Sequence, residues 1–233
     1  MIRHTLCLCV AVLTFAVLPL STSALIIDSF DDTQSESASS GTPSDSGDVF
    51  GGMLGGARRV RVDWTSGPNT VDADVNAGGS SLLNVSSGAD TLGKVTVDYG
   101  LILSMNEDLT AGGSLNAISM QIPFDDLPVD ITITVEDNAG LRSELTHNPG
   151  GGVFAPVSLP FLFDNFSPIN PPGADFTSIV RLTIEIEPLF PATDLQIDFI
   201  ETTFVPPVPE PSTYALAALG LVALGLAGRR RRS

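Results

Sequence analysis

The sequence predicts an all-β protein: an antiparallel β-sandwich or jelly roll, flanked by an N-terminal signal helix and a C-terminal transmembrane helix. Three observations support this fold class. Between residues 25 and 208, short segments alternate apolar and polar side chains, turn residues such as Gly, Pro and Asn separate them, and no stretch shows helical spacing. Many short strands without an internal repeat are typical of a sandwich.

Residues 1–24 form a predicted signal peptide. Arg3 precedes an apolar run over residues 6–20, which is short for an uncleaved membrane helix, and small residues up to Ala24 supply a cleavage site. Cys7 and Cys9, the only cysteines, lie in this segment. The exported protein therefore has no disulfide, no thiol nucleophile and no cysteine-ligated zinc.

The exported region is strongly acidic. The chain has 27 acidic and 11 basic residues; without Glu210, Arg3 and the four terminal arginines, residues 25–208 keep 26 and 6, so their formal charge is 6 − 26 = −20. Such a surface repels phosphate backbones, which argues against nucleic-acid binding. It either attracts divalent cations or serves solubility alone.

Residues 25–57 are predicted to hold one strand at 25–30 and then a loop rich in Ser, Gly and Asp over 32–57. The loop has too few large apolar side chains to offset the entropy of ordering. The predicted sandwich domain covers residues 58–205 and includes the first strand. Its other strands are predicted at 58–64, 81–85, 93–99, 115–122, 129–137, 141–146, 178–188 and 194–204.

The connections agree with short strands. Residues 137–140, Asp-Asn-Ala-Gly, predict a hairpin turn because Gly140 can adopt a positive φ. Proline clusters at 168–172 and 206–211 are incompatible with a central strand and predict loops or linkers.

The aromatic residues are predicted to fill the core. Trp64 and Tyr99 fall on the apolar faces of their strands. Phe161, Phe163 and Phe166, flanked by prolines, are predicted to lie in a loop packed over one end of the sandwich.

Spacing predicts one calcium site. Asp72, Asp74 and Asn76 place oxygen side chains at alternate positions, as at the start of a calcium-binding loop. The pattern then departs from an EF-hand, since Ala77 stands where Gly would make the turn and Leu83 where Glu would close the loop. Structural Ca²⁺ is the one candidate cofactor.

Candidates for catalysis are few, so the chain is predicted not to be an enzyme. His147 is the single histidine after the signal peptide, and neither G-x-S-x-G nor H-E-x-x-H accompanies it. Acidic pairs are abundant, and Glu185 with Glu187 most simply keeps an exposed strand face charged.

The C-terminal segment, residues 206–233, joins a Pro-rich linker to an apolar run and four terminal arginines. A transmembrane helix predicted at about 212–228 would be about 26 Å long at ~1.5 Å per residue, which is marginal for a permanent span. The arginines place the C-terminus in the cytoplasm, so the domain faces outward. They are Arg229, Arg230, Arg231 and Arg232.

Pro209, Glu210 and Pro211, followed by this apolar run and the arginines, resemble the PEP-CTERM sorting signal of exported proteins in Gram-negative, exopolysaccharide-producing bacteria. The resemblance implies recognition of the motif by a membrane-embedded exosortase. It further implies a transient inner-membrane anchor, cleavage near the motif, and delivery to the cell envelope or surface, or release outside the cell.

The first and last strands, residues 26–32 and 195–201, resemble the opening and closing strands of carbohydrate-binding jelly-roll modules. In those modules an acidic residue from each end often helps to hold a structural calcium. The resemblance implies Asp28 and Asp198 as ligands.

Together these observations predict an exported, non-enzymatic protein of the cell envelope or extracellular matrix, associated with exopolysaccharide or biofilm. Two alternatives stay open. The middle domain is a secreted carbohydrate-binding module or glycan-active enzyme, or the C-terminal helix is a lasting anchor.

Overall fold

The strands form where the sequence alternates apolar and polar side chains. A computed structural model describes residues 24–206, and within that range the regular structure consists of strands and two short 3-10 turns, at Ala77–Gly79 and Phe163–Asn165. Nothing helical in this range is long and apolar enough to cross a membrane. The predicted signal helix, transmembrane helix and sorting motif lie outside the described residues.

The strands are two to ten residues long, and their connections range from one residue to long loops such as 100–116. In chain order they are β1 (Leu25–Asp28), β2 (Gln34–Ala38), β3 (Ser44–Phe50), β4 (Ala57–Ser66), β5 (Val71–Val75), β6 (Leu83–Ser87), β7 (Leu92–Tyr99), β8 (Ala117–Ile122), β9 (Phe124–Asp125), β10 (Val129–Asp137), β11 (Arg142–His147), β12 (Val157–Leu162), β13 (Ser167–Pro168), β14 (Ile179–Pro188), β15 (Asp194–Ile197) and β16 (Ile200–Thr203).

The strands pair antiparallel in three sheets. The largest sheet has seven strands in the spatial order β13-β11-β10-β14-β7-β4-β3. A four-stranded sheet, β1-β16-β8-β12, and a five-stranded sheet, β2-β5-β6-β15-β9, complete the fold. Their inward-facing side chains form one continuous hydrophobic cluster, which confirms the predicted all-β, antiparallel, sandwich-like fold.

Strands β10 and β14 show how the alternation builds this core. In β10 every second residue from Val129 to Asp137 is buried, and the residues between them are partly exposed. The register pairs Ile133 with Ile184 and Thr134 with Thr183, so apolar side chains meet on the inner face and polar ones on the outer face.

The hairpin at residues 137–140 is confirmed. It joins β10 to β11, and Gly140 has a φ of 77°. Asp137 holds the turn because its Oδ1 accepts hydrogen bonds from the backbone N–H of Ala139 (2.8 Å) and of Leu141 (2.9 Å). Burial alone would raise the pKa of Asp137, but backbone N–H donors, including that of Asp175, hold it below its ordinary value.

The prediction of an uninterrupted loop over residues 32–57 is wrong. Strand β2 pairs with β5, and β3 pairs with β4, at the edges of two different sheets. An edge strand buries little apolar surface, so a polar segment can form one when a neighbouring strand supplies its backbone hydrogen bonds.

Two further elements differ from the prediction. Residues 157–162 are strand β12, at the edge of the four-stranded sheet, and Phe161 points into the core from it. The single strand predicted over 194–204 is two strands, β15 and β16, which belong to different sheets. The bend between them connects the two smaller sheets. Pro168 lies at an edge, since it belongs to β13, which is the last strand of the large sheet.

Candidate functional site

The outer face of the seven-stranded sheet collects most of the positive charge of the described chain. Residues 24–206 contain six basic side chains. Arg58 is fully buried, whereas the other five occupy outward positions of β4, β7, β11 and β14. These five are Arg59, Arg61, Lys94, Arg142 and Arg181.

A groove with a volume of about 280 Å³ lies on this face. Cross-strand register builds its floor, since Thr134 pairs with Thr183, and Thr183 pairs with Asp98. The next rung of the ladder pairs Glu185 with Thr96, and Thr96 with Arg61. The lining residues are Arg61, Thr96, Asp98, Thr134, Arg142, Ile169, Arg181, Thr183 and Glu185, of which only Ile169 is apolar.

Asp98 organises the floor of the groove. Its side chain is buried, and its Oδ1 accepts hydrogen bonds from Nη2 of Arg181 (2.9 Å) and from Oγ1 of Thr183 (2.6 Å). The carboxylate is therefore held by two donors from β14, and its charge is balanced by Arg181. These contacts fix the side chains that form the middle of the groove.

Other polar atoms of the groove have no protein partner among the described residues. Thr96 is only 2% exposed, and its Oγ1 makes no hydrogen bond with them. The Nε of Arg181 is also buried and makes no hydrogen bond with the described residues. The Nε of Arg142 lies 3.2 Å from Oε2 of Glu136 without hydrogen-bond geometry. Buried polar groups are nearly always satisfied, so these atoms need a partner that the described residues do not supply, such as water or a polar ligand.

This arrangement offers donors and acceptors at short spacing. Guanidinium groups donate, carboxylates accept, and the threonine hydroxyls do both. The groove can thus hydrogen-bond a polar ligand that itself carries donors and acceptors. Alternation in the sequence places these side chains on outward positions, but no motif in the sequence indicates that they form a groove.

Asp28, one of the predicted calcium ligands, lies in a buried polar cluster. Its Oδ2 accepts hydrogen bonds from Nη1 of Arg58 (2.7 Å) and from the hydroxyl of Tyr99 (2.9 Å). Its Oδ1 accepts one from the backbone N–H of Phe30 (2.7 Å). Burial raises the pKa of Tyr99, and the negative charge of Asp28 adds to this effect.

Asp198, the other ligand implied by the resemblance, precedes β16, the strand that pairs with β1. The first and last strands are therefore neighbours. Asp198 is partly exposed, and its backbone N–H donates to the carbonyl of Gln121 (2.9 Å).

The second predicted calcium site lies on a strand rather than in a loop. Asp72 and Asp74 occupy outward positions of β5, and Asn76 follows in a turn with a φ of 53°. Asp74 accepts a hydrogen bond from Ser35, and Oδ1 of Asn76 accepts one from the backbone of Ser81 (3.0 Å).

Within residues 24–206, no three Asp, Glu, His or Cys side chains form a group that could hold a metal ion. Both calcium hypotheses stay predictions. A calcium titration that follows the melting temperature tests them.

The predicted sorting residues lie outside the described part of the chain, but sequence comparison identifies the segment that contains them. Residues 207–232 match the family model of the PEP-CTERM protein-sorting motif. This match confirms the resemblance seen at Pro209, Glu210 and Pro211 and includes the four terminal arginines.

Comparison of the fold with solved structures gives low-identity matches. The family 11 carbohydrate-binding module of the cellulosomal cellulase Lic26A-Cel5E of Clostridium thermocellum is 13% identical, covering 79% of this chain and 96% of the module, with a TM-score of 0.40. An agarase is 15% identical over 64% of this chain and 23% of the enzyme, with a TM-score of 0.42. None of the curated proteins matches the chain in sequence.

Proposed function

We propose, from the premise that the chain ends in a PEP-CTERM protein-sorting motif, that this protein is exported and binds polysaccharide without cleaving it. Its place of action is the cell envelope or the extracellular matrix, in association with exopolysaccharide or biofilm. The motif supports export and sorting to the envelope or surface. The groove on the seven-stranded sheet is the one observation that carries the binding function.

The chemistry of the groove suits a sugar. Each sugar hydroxyl both donates and accepts hydrogen bonds, and the groove presents both kinds of partner within one small volume. At about 280 Å³ it lies at the small end of the ~300–1,000 Å³ range of ligand sites, so it fits a short part of a chain. The apolar contribution is small, because Ile169 is the one apolar lining residue.

The acidic groups of the groove support binding rather than hydrolysis. Asp98 is paired with Arg181 at 2.9 Å, and Glu185 with Lys94 at 2.6 Å. Each carboxylate is thus engaged in an ion pair that holds the sheet face together, and neither is a free partner for proton transfer to a substrate. The lining residues include no histidine, serine or cysteine that would act as a base or nucleophile.

The route to the envelope follows from the two ends of the sequence. The signal peptide directs export, and the C-terminal apolar run holds an intermediate in the inner membrane. A membrane-embedded exosortase then recognises Pro209, Glu210 and Pro211 and separates the domain from its anchor. The acidic surface keeps the exported domain soluble.

The binding function is tested on the full-length protein, purified in a polyoxyethylene detergent that has no sugar headgroup. The protein is applied to a glycan array, and the bound polysaccharides are assayed for new reducing ends. We expect binding without new reducing ends. Release of reducing ends would contradict the non-enzymatic proposal, and absence of binding to every glycan would contradict the binding function.

Two matched threonine variants connect binding to the groove. Thr134 lines the groove, whereas Thr132, on the same face of β10, exchanges a hydrogen bond with Thr146 outside it. Thr134→Val removes one hydroxyl at nearly constant volume and should weaken binding about threefold to tenfold. Thr132→Val should leave binding unchanged. An equal effect of both variants would place the binding site elsewhere.

A further inference from the structure

The groove differs in charge from the domain around it. The described residues carry a formal charge of −20, but the lining contains three arginines and two acidic residues, which gives 3 − 2 = +1. Because basic side chains are scarce in this chain, their concentration at the groove needs an explanation. Structural ion pairs explain part of this concentration, but they leave the terminal amino groups of two arginines without a protein acceptor among the described residues.

All five outward cations form an ion pair with a neighbouring carboxylate, and the pairs differ in which donors they occupy. Arg59 donates from Nε (3.1 Å) and Nη2 (3.0 Å) to the two oxygens of Asp48. Lys94 donates to Glu185 at 2.6 Å. Arg59 and Lys94 do not line the groove. These two cations therefore stabilise the sheet through their ion pairs.

Arg61 and Arg142 are arranged differently. The Nε of Arg61 donates a hydrogen bond to Asp63 (3.1 Å), and the Nε of Arg142 forms an ion pair with Glu136 (3.2 Å). Among the described residues, the terminal amino groups of both arginines donate to no protein acceptor, and both side chains line the groove. These forked donors suit an oxyanion with two oxygens side by side, such as a carboxylate or a sulfate, which a guanidinium binds with two parallel hydrogen bonds.

Starting from the proposed function, we propose that the groove selects an acidic saccharide, and that Arg61 and Arg142 bind its carboxylate or sulfate group. The hydroxyl of Thr96, buried and unpaired in the floor, donates to the same ligand. Arg181 has a positioning role, since it holds Asp98. Asp98 and Glu185 do not repel the anion strongly, because each is neutralised by its own cation.

The test compares an acidic trisaccharide with its neutral ester and with a sulfated trisaccharide. Full-length protein in the same detergent is titrated calorimetrically with a trisaccharide of galacturonate, with its methyl ester and with a trisaccharide of 6-sulfated galactose. We expect at least one acidic trisaccharide to bind about tenfold more tightly than the neutral ester. The acidic ligand that binds more tightly identifies carboxylate or sulfate as the recognised group.

Three variants and one control locate the recognised charge. Arg142→Gln and Arg61→Gln should each weaken binding of the acidic trisaccharide about tenfold and hardly change binding of the ester. Arg142→Lys keeps the charge but not the two parallel N–H donors, so it should recover only part of the lost binding. Arg59→Gln removes the same charge from the same sheet face outside the groove and should have no effect.

The outcomes separate this inference from the proposed function. Equal binding of the ester and the acidic trisaccharides would overturn the inference and leave polysaccharide binding intact. Equal losses from Arg59→Gln and Arg142→Gln would also overturn it, because the effect would then come from overall charge. Absence of binding to the trisaccharides and to every glycan of the array would contradict both proposals. Melting temperatures show which variants are folded.

Discussion

Arg58 is a fully buried arginine, and the residues around it show how one ion pair organises the core. Its guanidinium donates to Asp28 (2.7 Å), to Gln34 (3.0 Å) and to the carbonyl of Asp32 (2.6 Å). It also lies over the ring of Phe30, 5.6 Å from its centroid. Removing one partner of such a pair leaves an uncompensated charge in the interior.

We therefore expect Arg58→Met to lower the free energy of unfolding by about 3–5 kcal/mol. The matched variant Arg59→Met breaks the partly exposed pair with Asp48 and should cost about 1 kcal/mol or less. Urea unfolding of both variants measures the difference. Equal decreases in the free energy of unfolding would show that Tyr99 and the backbone stabilise Asp28 without the arginine.

Asp125 predicts a pH dependence of stability. It is fully buried, and neither carboxylate oxygen makes a hydrogen bond of good geometry with the described residues, although the backbone N–H of Gly151 is near enough to oppose the rise in pKa. Burial, with the charge of Asp126, raises its pKa from 3.8 to about 6. The folded state thus keeps a proton that the unfolded state loses, so this contribution to stability is full below about pH 4 and is lost as pH rises through about 6.

Asp125→Asn removes this titration. We expect the variant to have a higher melting temperature than the original protein at pH 7.5 and a similar one at pH 4. Glu144→Gln removes a carboxylate at an exposed position of β11 and serves as the control for net charge. A uniform shift of the Asp125→Asn melting temperature at both pH values would contradict the raised pKa.

The sequence predicts the burial of some of these residues better than that of others. Arg58 stands two residues before Val60 and four before Val62, and alternate residues of a strand face the same side. Alternation in β4 therefore already places Arg58 on the inner face. Thr96 and Asp98 have outward parity, yet both are buried. Both lie in the middle of the large sheet, so their burial depends on strand order, which the sequence does not reveal.

At the scale of an element, the hairpin between β10 and β11 was predictable because one turn sequence specifies it. Gly140 has a φ of 77°, and a Cβ added there would meet no atom within 4 Å. Gly140→Ala should therefore lower stability by about 1–2 kcal/mol through backbone strain alone. Gly52 also has free space but no positive φ, so Gly52→Ala should be neutral or slightly stabilising.

Urea unfolding of the two alanine variants distinguishes strain from a general effect of losing glycine. Equal stabilities of Gly140→Ala and Gly52→Ala would show that the turn changes shape without cost. The turn should still form in Gly140→Ala, because Asp137 continues to accept hydrogen bonds from Ala139 and Leu141.

Edge strands were harder to predict than central ones. Strands β7, β10 and β14 lie inside the large sheet and carry the clearest alternation of the chain. Strand β2 reads Gln-Ser-Glu-Ser-Ala, strand β3 is mostly Ser, Asp and Gly, and their backbone hydrogen bonds come from partners β5 and β4. Their local sequence therefore has no strong strand signal, since tertiary pairing decides their structure.

At the scale of the whole molecule, the fold class was predictable and the groove was not. Alternation and turns indicate an all-β sandwich wherever the strands pair. The groove joins Arg61 of β4, Arg142 of β11 and Arg181 of β14, which are far apart in sequence. Only the order β11-β10-β14-β7-β4 brings them to one face, and no local pattern specifies that order.

The folded domain ends close to the sorting motif. Val205 is fixed to Asn116 by two hydrogen bonds, in which its N–H donates at 2.7 Å and its carbonyl accepts at 2.9 Å. From Val205 to Ser212, where the predicted apolar helix begins, seven residues reach at most about 25 Å at ~3.6 Å each. On the proposal that the apolar run anchors an intermediate in the inner membrane, this reach would hold the domain near the membrane surface before processing.

This geometry makes Glu210 testable independently of the domain. Prolines on both sides of Glu210 disfavour helix and strand, which keeps the motif accessible to a protease. We expect Glu210→Ala to leave a longer, unprocessed form in the membrane fraction of a host that carries an exosortase, while Glu187→Ala, an exposed change on β14, is processed normally. Fractionation and immunoblotting measure both forms. Normal processing of Glu210→Ala would show that the enzyme recognises the apolar run and arginines without this carboxylate.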